Sequence, residues 1–266
     1  MPTITINDCQ YYYEIQGRGE ETIMLSHGLL WSGKMFHKQV EHFKVNYRVI
    51  TYDHRGQGRT EVTKNGYDMD QLYEDTVMLI ERLNVGPVHF GGLSMGGFVA
   101  MRLAARRPDL VKSLILMETS AQPEPFTFKY NLLKTMVKFF GVKSVEKPVM
   151  KIMFGETFLN DPDRDDEMSE WATALTNNKK SITKAVTGVI ERKGVESELG
   201  NISCPTLILV GNEDKATVPA KAEFIHQNIM GATLVYIENA GHTACIEEPE
   251  QYNAAIANFL EGVTRP

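Results

Sequence analysis

The stretch Val88-His-Phe-Gly-Gly-Leu-Ser-Met-Gly-Gly-Phe-Val-Ala places Ser94 inside Gly92-Leu93-Ser94-Met95-Gly96, a G-x-S-x-G pattern. Alone the pattern is weak, because both residue types are common. Its setting is more informative. An apolar, strand-like run precedes Ser94 and a helical pattern follows it, the strand–turn–helix context that exposes a nucleophile. Gly92 and Gly96 leave room where a Cβ would collide in a tight turn, and a helix N-terminus brings partial positive charge close to Ser94. The competing reading is a phosphate-binding loop. No Lys-Ser/Thr follows the glycines and the spacing is not G-x-G-x-x-G, which disfavours it.

A serine hydroxyl is a poor nucleophile at neutral pH, so it needs a base, and the base needs an acid that orients it. His242, in Asn239-Ala-Gly-His-Thr, follows a strand-like run and is the candidate base. His54 also follows a strand and is its rival, whereas His37, His42 and His226 fall in helical patterns and His89 within a strand. The candidate acid is Asp214, at the end of Leu207-Ile-Leu-Val-Gly-Asn-Glu-Asp, with Glu213 and Glu118 as alternatives. The chain order Ser94, Asp214, His242 differs from the orders in chymotrypsin-type and subtilisin-type enzymes. An oxyanion hole requires two backbone N–H groups aimed at the developing charge. Met95, directly after the nucleophile, would supply one. Leu29 would supply the other, from Ser26-His27-Gly28-Leu29-Leu30, where Gly28 permits the turn and His27 is read as structural.

Positioning these groups requires a sheet. Thr3 to Ile6 and Tyr11 to Gln16, separated by Asn7-Asp8, read as a hairpin. Short apolar runs follow at Thr22 to Ser26, Arg48 to Tyr52, Val88 to Phe90, Leu114 to Met117, Thr206 to Val210 and Leu234 to Ile237, as in strands buried on both faces. Helical patterns over Asp70 to Leu83, Met95 to Arg106, Ala220 to Ile229 and Pro249 to Leu260 alternate with them, so the fold class is α/β with a mostly parallel sheet. The alternation fails between about Ala121 and Gly200. That stretch has no convincing strand, includes helical patterns at Phe128 to Phe140 and Val145 to Phe154, and is too long for a plain loop. It reads as a helical cap (121–200) over a core formed by 1–120 and 201–266. The charged run Asp161 to Glu167 reads as a solvated turn and helix start rather than a metal site.

The cap is rich in apolar residues, most of which should pack its own interior. Phe126, Leu132, Met136, Phe140 and Met153, with Trp31 and Phe36 from the core, are the candidates for an apolar substrate pocket, since small-molecule sites are mainly apolar with few polar anchors. Lys129, Lys134 and Lys138 could face a substrate carboxylate, but their spacing does not say which way they point.

Composition bounds the reading. The chain has 266 residues, 42% hydrophobic and 23% charged, the profile of a globular protein. The formal charge of −6 argues against general nucleic-acid binding. Cys9, Cys204 and Cys245 are widely spaced with no C-x-x-C pair, which suits free thiols in a reducing cytoplasm. No run reaches the ~18 apolar residues of a membrane helix, and no signal peptide is visible from Met1 onward. The histidine spacing implies no metal, and no other cofactor is expected. Oligomeric state is not readable.

Together these motifs resemble the α/β-hydrolase superfamily over residues 1–120 and 201–266. His27-Gly28 resembles its oxyanion motif, Asp53-His-Arg-Gly-Gln-Gly-Arg its D-x-R-G-x-G-x-S turn (with Arg59-Thr60 in place of the usual serine), Gly92 to Gly97 its nucleophile elbow, Gly211 to Asp214 its acid loop, and Ala240-Gly-His242 with Glu248-Pro249 its histidine loop. The resemblance implies an eight-stranded sheet with the cap inserted after the sixth strand. Serine at the elbow, rather than aspartate, disfavours epoxide opening and dehalogenation. The chain is most similar to small esterases, 3-oxoadipate enol-lactonases, haloperoxidase-like perhydrolases and N-acyl-homoserine lactonases of this fold. The expectation is a cytoplasmic serine hydrolase acting on a carboxylic ester or lactone of a small, partly apolar molecule. A small-molecule receptor of the same fold, or a lyase or perhydrolase using the same three residues, are the alternatives.

Overall fold

The computed structural model describes residues 2–264; Met1, where the leader reading begins, lies outside the described residues. The apolar runs form β1 (Thr3–Ile6), β2 (Cys9–Gln16), β3 (Thr22–Ser26), β4 (Arg48–Tyr52), β5 (Val88–Leu93), β6 (Val111–Met117), β7 (Thr206–Gly211) and β8 (Thr233–Ile237). They make one eight-stranded sheet in the order β1-β2-β4-β3-β5-β6-β7-β8. Strands β3 to β8 run parallel, and β1 and β2 add antiparallel at one edge. Asn7 and Asp8 both have positive φ, as a two-residue type I′ hairpin turn requires. Strand β5 runs past Phe90 because Gly91 and Gly92 are held on both sides, against Leu25 and Ser26 on β3 and Ile115 and Leu116 on β6. Pairing overrides the weak strand preference of glycine.

Helices cover both faces: α1 (His37–Phe43), α2 (Met69–Leu83), α3 (Met95–Arg106), then, after the cap helices α4 (Thr127–Phe140), α5 (Glu146–Met153), α6 (Glu156–Leu159), α7 (Asp165–Thr176) and α8 (Thr183–Ile190), the core resumes with α9 (Pro219–Asn228), α10 (Ala244–Glu247) and α11 (Pro249–Thr264). Side chains on the strands alternate between two apolar clusters. Ile23, Leu25, Leu207 and Leu209 join α1, α11 and the cap, while Met24, Ile208 and Val210 join α2, α3 and α9. The long segment between β6 and β7 is entirely helical or irregular. Its last part, Val195 and Leu199, already packs into the α3–α9 cluster.

The chain leaves β3 for β4 on one side and later returns to β5 on the other, so the C-terminal ends of β3 and β5 flank a topological switch point, where open parallel sheets bind ligands. The loop at this crevice is tied back to the sheet by buried carboxylates. Asp75 accepts hydrogen bonds from Arg55 Nε and Nη2 at 3.0 and 2.8 Å, from the Tyr11 hydroxyl and from Asn7 Nδ2, with both Asp75 and Arg55 buried. Removing one partner of such a pair strands the other charge. Asp75→Asn should therefore lose about 3 kcal/mol in urea unfolding, whereas a surface exchange such as Glu41→Gln should change stability by less than about 0.5 kcal/mol.

A second buried carboxylate ties in the helical stretch between β6 and β7, the expected cap. Glu247 on α10 accepts from Gly155 N in the cap (2.8 Å) and from Gly241 N and Thr243 N on either side of His242 (3.0 and 3.1 Å). Burial pushes its carboxyl up to about 7, against these donors, which favour the charged form. Between the ordinary glutamate value of 4.5 and about 7 the unfolded chain releases this proton and the folded chain keeps it. Stability should then fall as pH rises through that window, by about 3 kcal/mol, and level off above it. In Glu247→Gln this slope should be flatter, as measured by urea midpoints at intervals across the window.

Candidate active site

Ser94 is the hinge between β5 and α3 and has φ 53° and ψ −111°, a region costly for a residue with a Cβ. Three contacts impose it. Ser94 N donates to Met117 O (2.9 Å), Thr119 Oγ1 donates to Ser94 O (2.8 Å), and the same carbonyl accepts from Phe98 N (3.1 Å). Gly96 is required because a Cβ there would fall 2.1 Å from Ser26 O. This places the Met95 N–H, at the start of α3, next to the serine.

The loop after β3 is held against the elbow: a Cβ on Gly28 would lie 2.9 Å from Leu93 Cδ2 and 3.4 Å from Ser94 Cβ. His27 fixes its shape. Its Nε2 accepts from His54 N (2.9 Å), so Nδ1 carries the proton and donates to Gly28 O (2.7 Å). Leu30, with φ 73°, donates its N–H to Gln57 Oε1 at 2.9 Å. Asp53 accepts from Gly33 N and Arg59 N, and Thr60 Oγ1 donates to Asp53 O, so threonine holds the turn where serine is usual in the resembled motif.

Asp214 and His242 stand on the loops after β7 and β8. His242 Nδ1 lies 2.9 Å from Asp214 Oδ2, with both residues buried. The carboxylate also accepts from Ala216 N and Thr217 N on Oδ1 and from Thr217 Oγ1 on Oδ2, at 2.8–2.9 Å. In a neutral imidazole the nitrogen facing Asp214 is the N–H donor, which leaves Nε2 as the acceptor. The rival residues are occupied elsewhere. His54 Nε2 is bonded to Ser26 Oγ (2.7 Å), Glu213 to the Thr157 backbone and hydroxyl, and Glu118 to the Tyr252 hydroxyl (3.0 Å).

Ser94, His242, Thr217 and Leu29 line one cavity of about 80 Å3. No hydrogen bond joins the Ser94 hydroxyl to His242 in this structure; such bonds are often loose in a free enzyme and tighten on substrate binding. A second, apolar cavity of about 80 Å3 under the cap shares Leu29, Tyr130, Ile152, Met153 and Val186 with the first.

Of the expected pocket residues, Met153 lines both cavities. The others lie elsewhere. Trp31 packs edge-on against Trp171 and Phe154, because the left-handed Leu30 turns the chain away from Leu29. Phe36 is fully buried in the core beside α1. Phe126, Leu132 and Phe140 are 64, 55 and 77% exposed, and Met136 is partly buried against the cap interior. The reason is helical phase. The cavity-lining stripe of α4 is Tyr130, Leu133, Lys134 and Val137; Leu132 lies on the opposite face, Met136 on the flank packed into the apolar cluster, and Phe140 at the exposed last residue of the helix. Sequence reasoning also missed Phe98, Glu124, Tyr130 and Arg192 on the Ser94 cavity. The α4 stripe had a signal in the i, i+3, i+4, i+7 spacing; Glu124 and Arg192 had none.

Among the described residues no group of three or more His, Cys, Asp or Glu could hold a metal ion, and no helix is long and apolar enough to cross a membrane. The profile of the alpha/beta hydrolase fold matches residues 21–249. The chain is 26% identical to 3-oxoadipate enol-lactonase 2 of Acinetobacter baylyi over 97% of this chain and 96% of that one. Among solved structures it is similar to the enol-lactonase from Burkholderia xenovorans (TM-score 0.91, 25% identity, 98% of this chain and 100% of that one). It is also similar to a thermophilic esterase from Thermogutta terrifontis (TM-score 0.90, 28% identity, 99% of both chains). With this match over most of its length, and the eight-stranded sheet to go with it, the chain belongs to the α/β-hydrolase fold family.

Proposed function

We propose that the chain hydrolyses a carboxylic ester or lactone of a small, partly apolar molecule through an acyl-enzyme on Ser94. The observation that carries this reading is a buried His242–Asp214 pair at 2.9 Å whose histidine lines the same cavity as a serine in a strained elbow. The similarity to an enol-lactonase and an esterase supports the same chemistry.

In this reading Ser94 Oγ attacks the carbonyl carbon as His242 Nε2 takes its proton. The oxygen's developing charge is met by the N–H groups of Leu29 and Met95. Asp214 holds the imidazole tautomer and supports the imidazolium without itself being protonated. The intermediate collapses, the carbon–oxygen bond to the alcohol breaks, and His242 returns the proton to the departing alkoxide. In a lactone that alkoxide stays tethered to the acyl group. Water, deprotonated by His242, then attacks the acyl-enzyme and releases the acid and Ser94. The two adjoining cavities are small against the ~300–1,000 Å3 of typical ligand pockets, which suits a short acyl chain in the apolar one.

Ser94→Ala should lower turnover of p-nitrophenyl acetate by up to about 10⁶, with the circular dichroism spectrum unchanged. Asp214→Asn should lower it by about 10⁴, because the imidazole then takes the wrong tautomer. Near wild-type turnover in Ser94→Ala would refute the assignment.

A further inference from the structure

The Ser94 cavity is apolar on most of its wall, through residues such as Phe98, Ile152 and Met153, but Glu124, Tyr130 and Arg192 make part of it polar. The Arg192 side chain is only 4% exposed, and its guanidinium lies 4.2 Å over the Phe98 ring. Nη1 donates to Glu124 Oε2 (3.0 Å) and Val189 O (2.9 Å), and Nε to Gln122 O (3.2 Å). Glu124 Oε1 is taken by Phe126 N (3.0 Å). Among the described residues, Arg192 Nη2 and the Tyr130 hydroxyl have no hydrogen-bond partner. Burial, then the Glu124 charge, pushes the Tyr130 phenol up to about 12, so it keeps its proton and can donate. The unused groups are therefore donors, on a charge pair that sums to zero.

We infer that Glu124 is a specificity-determining residue that sets the charge preference of this cavity: by neutralising Arg192 it makes the polar wall a site for an uncharged oxygen acceptor on the substrate, such as a carbonyl or ester oxygen, and turns away a carboxylate. A bare buried guanidinium would bind a carboxylate in two-pronged fashion. Here one prong and the compensating charge belong to Glu124. A second carboxylate would leave a net negative charge beside a buried ion pair, with Asp214 close enough to act on the same Tyr130. An uncharged acceptor loses far less hydration on entry and can still use both free donors. This inference rests on the hydrolase reading for its substrate class, and the adjoining apolar cavity would take the alkyl part of the same molecule.

The test is a matched pair of substrates, the p-nitrophenyl ester of monomethyl glutarate and the p-nitrophenyl half-ester of glutarate, which differ in one negative charge. Wild type should favour the uncharged member by about tenfold or more in kcat/KM, mainly through KM, and Glu124→Gln should reduce or reverse that ratio by about tenfold as Arg192 is released. A wild-type ratio near one, or in favour of the acid, would overturn the inference without recourse to any variant; so would a ratio that Glu124→Gln leaves in place. The dissociation constants of both esters for Ser94→Ala and for Ser94→Ala/Glu124→Gln, measured by calorimetry, should show the same preference and its loss. If wild type hydrolyses neither ester beyond the Ser94→Ala rate but the binding preference and its reversal hold, the hydrolase reading falls and the charge selectivity stands. An active enzyme with equal affinity for both esters sinks the selectivity alone, and failure of Ser94→Ala to bind either ester overturns it too.

Discussion

The backbone of Ser94 is the constraint around which the rest of the site is arranged. A non-glycine residue at φ 53°, ψ −111° is strained, and the strain persists only because the neighbours leave no alternative. Met117 fixes the serine amide from the adjacent strand, Thr119 fixes its carbonyl, and α3 begins at the next residue. Glycine at 92 and 96 follows from the same geometry, since a Cβ at either position would run into backbone. The gain is a serine side chain that lines the cavity directly beside the start of a helix.

The loops that complete the site share a device. Each is organised by a buried carboxylate that accepts several donors: Asp75 for the turn containing Arg55, Asp53 for the segment from Gly33 to Arg59, Asp214 for its own loop and His242, and Glu247 for the two sides of His242 and the cap residue Gly155. Ionised or not, such groups are expensive to bury unless their partners are in place. Each loop is thereby held to one geometry, at the cost of stability that depends on pH where the carboxyl is displaced upward, as in Glu247. The positions of residues far apart in sequence are in this sense set by electrostatics as much as by packing.

The helical stretch between β6 and β7 contributes α4 to the cavity wall, and the inward and outward faces of that helix differ sharply. Tyr130, Leu133 and Val137 face in, while Phe128, Leu132 and Phe140 are exposed. What polarity the cavity has beyond the serine, the histidine and Thr217 comes from Tyr130, Glu124 and Arg192, which stand on or beside the cap helices. Ser94, Asp214 and His242 thus come from the sheet and the loops after its strands, and most of the remaining cavity wall comes from the helices between β6 and β7 and their flanking segments.

Much was legible in the sequence because the signals are local. Apolar runs of strand length, the glycines around Ser94, and an aspartate and a histidine each just past a run are short-range patterns, and they located the sheet, the elbow and the candidate triad. The extent of β5 was not legible, since Gly91 and Gly92 have no strand preference and are ordered by neighbours on both sides. Nor was the pocket. Trp31 is turned away by one left-handed residue, Leu132 lies on the face of α4 opposite the cavity-lining stripe, Met136 packs on its flank, and Phe140 is exposed at the helix end. Arg192 and Glu124 carry no sequence signal, because what matters about them is a separation of 68 residues closed to 3.0 Å. The sequence by itself determined the elements and the candidates for the reacting residues, since those depend on each residue and its near neighbours. Which side chains share a cavity, and with what charge, was decided only when distant segments packed together.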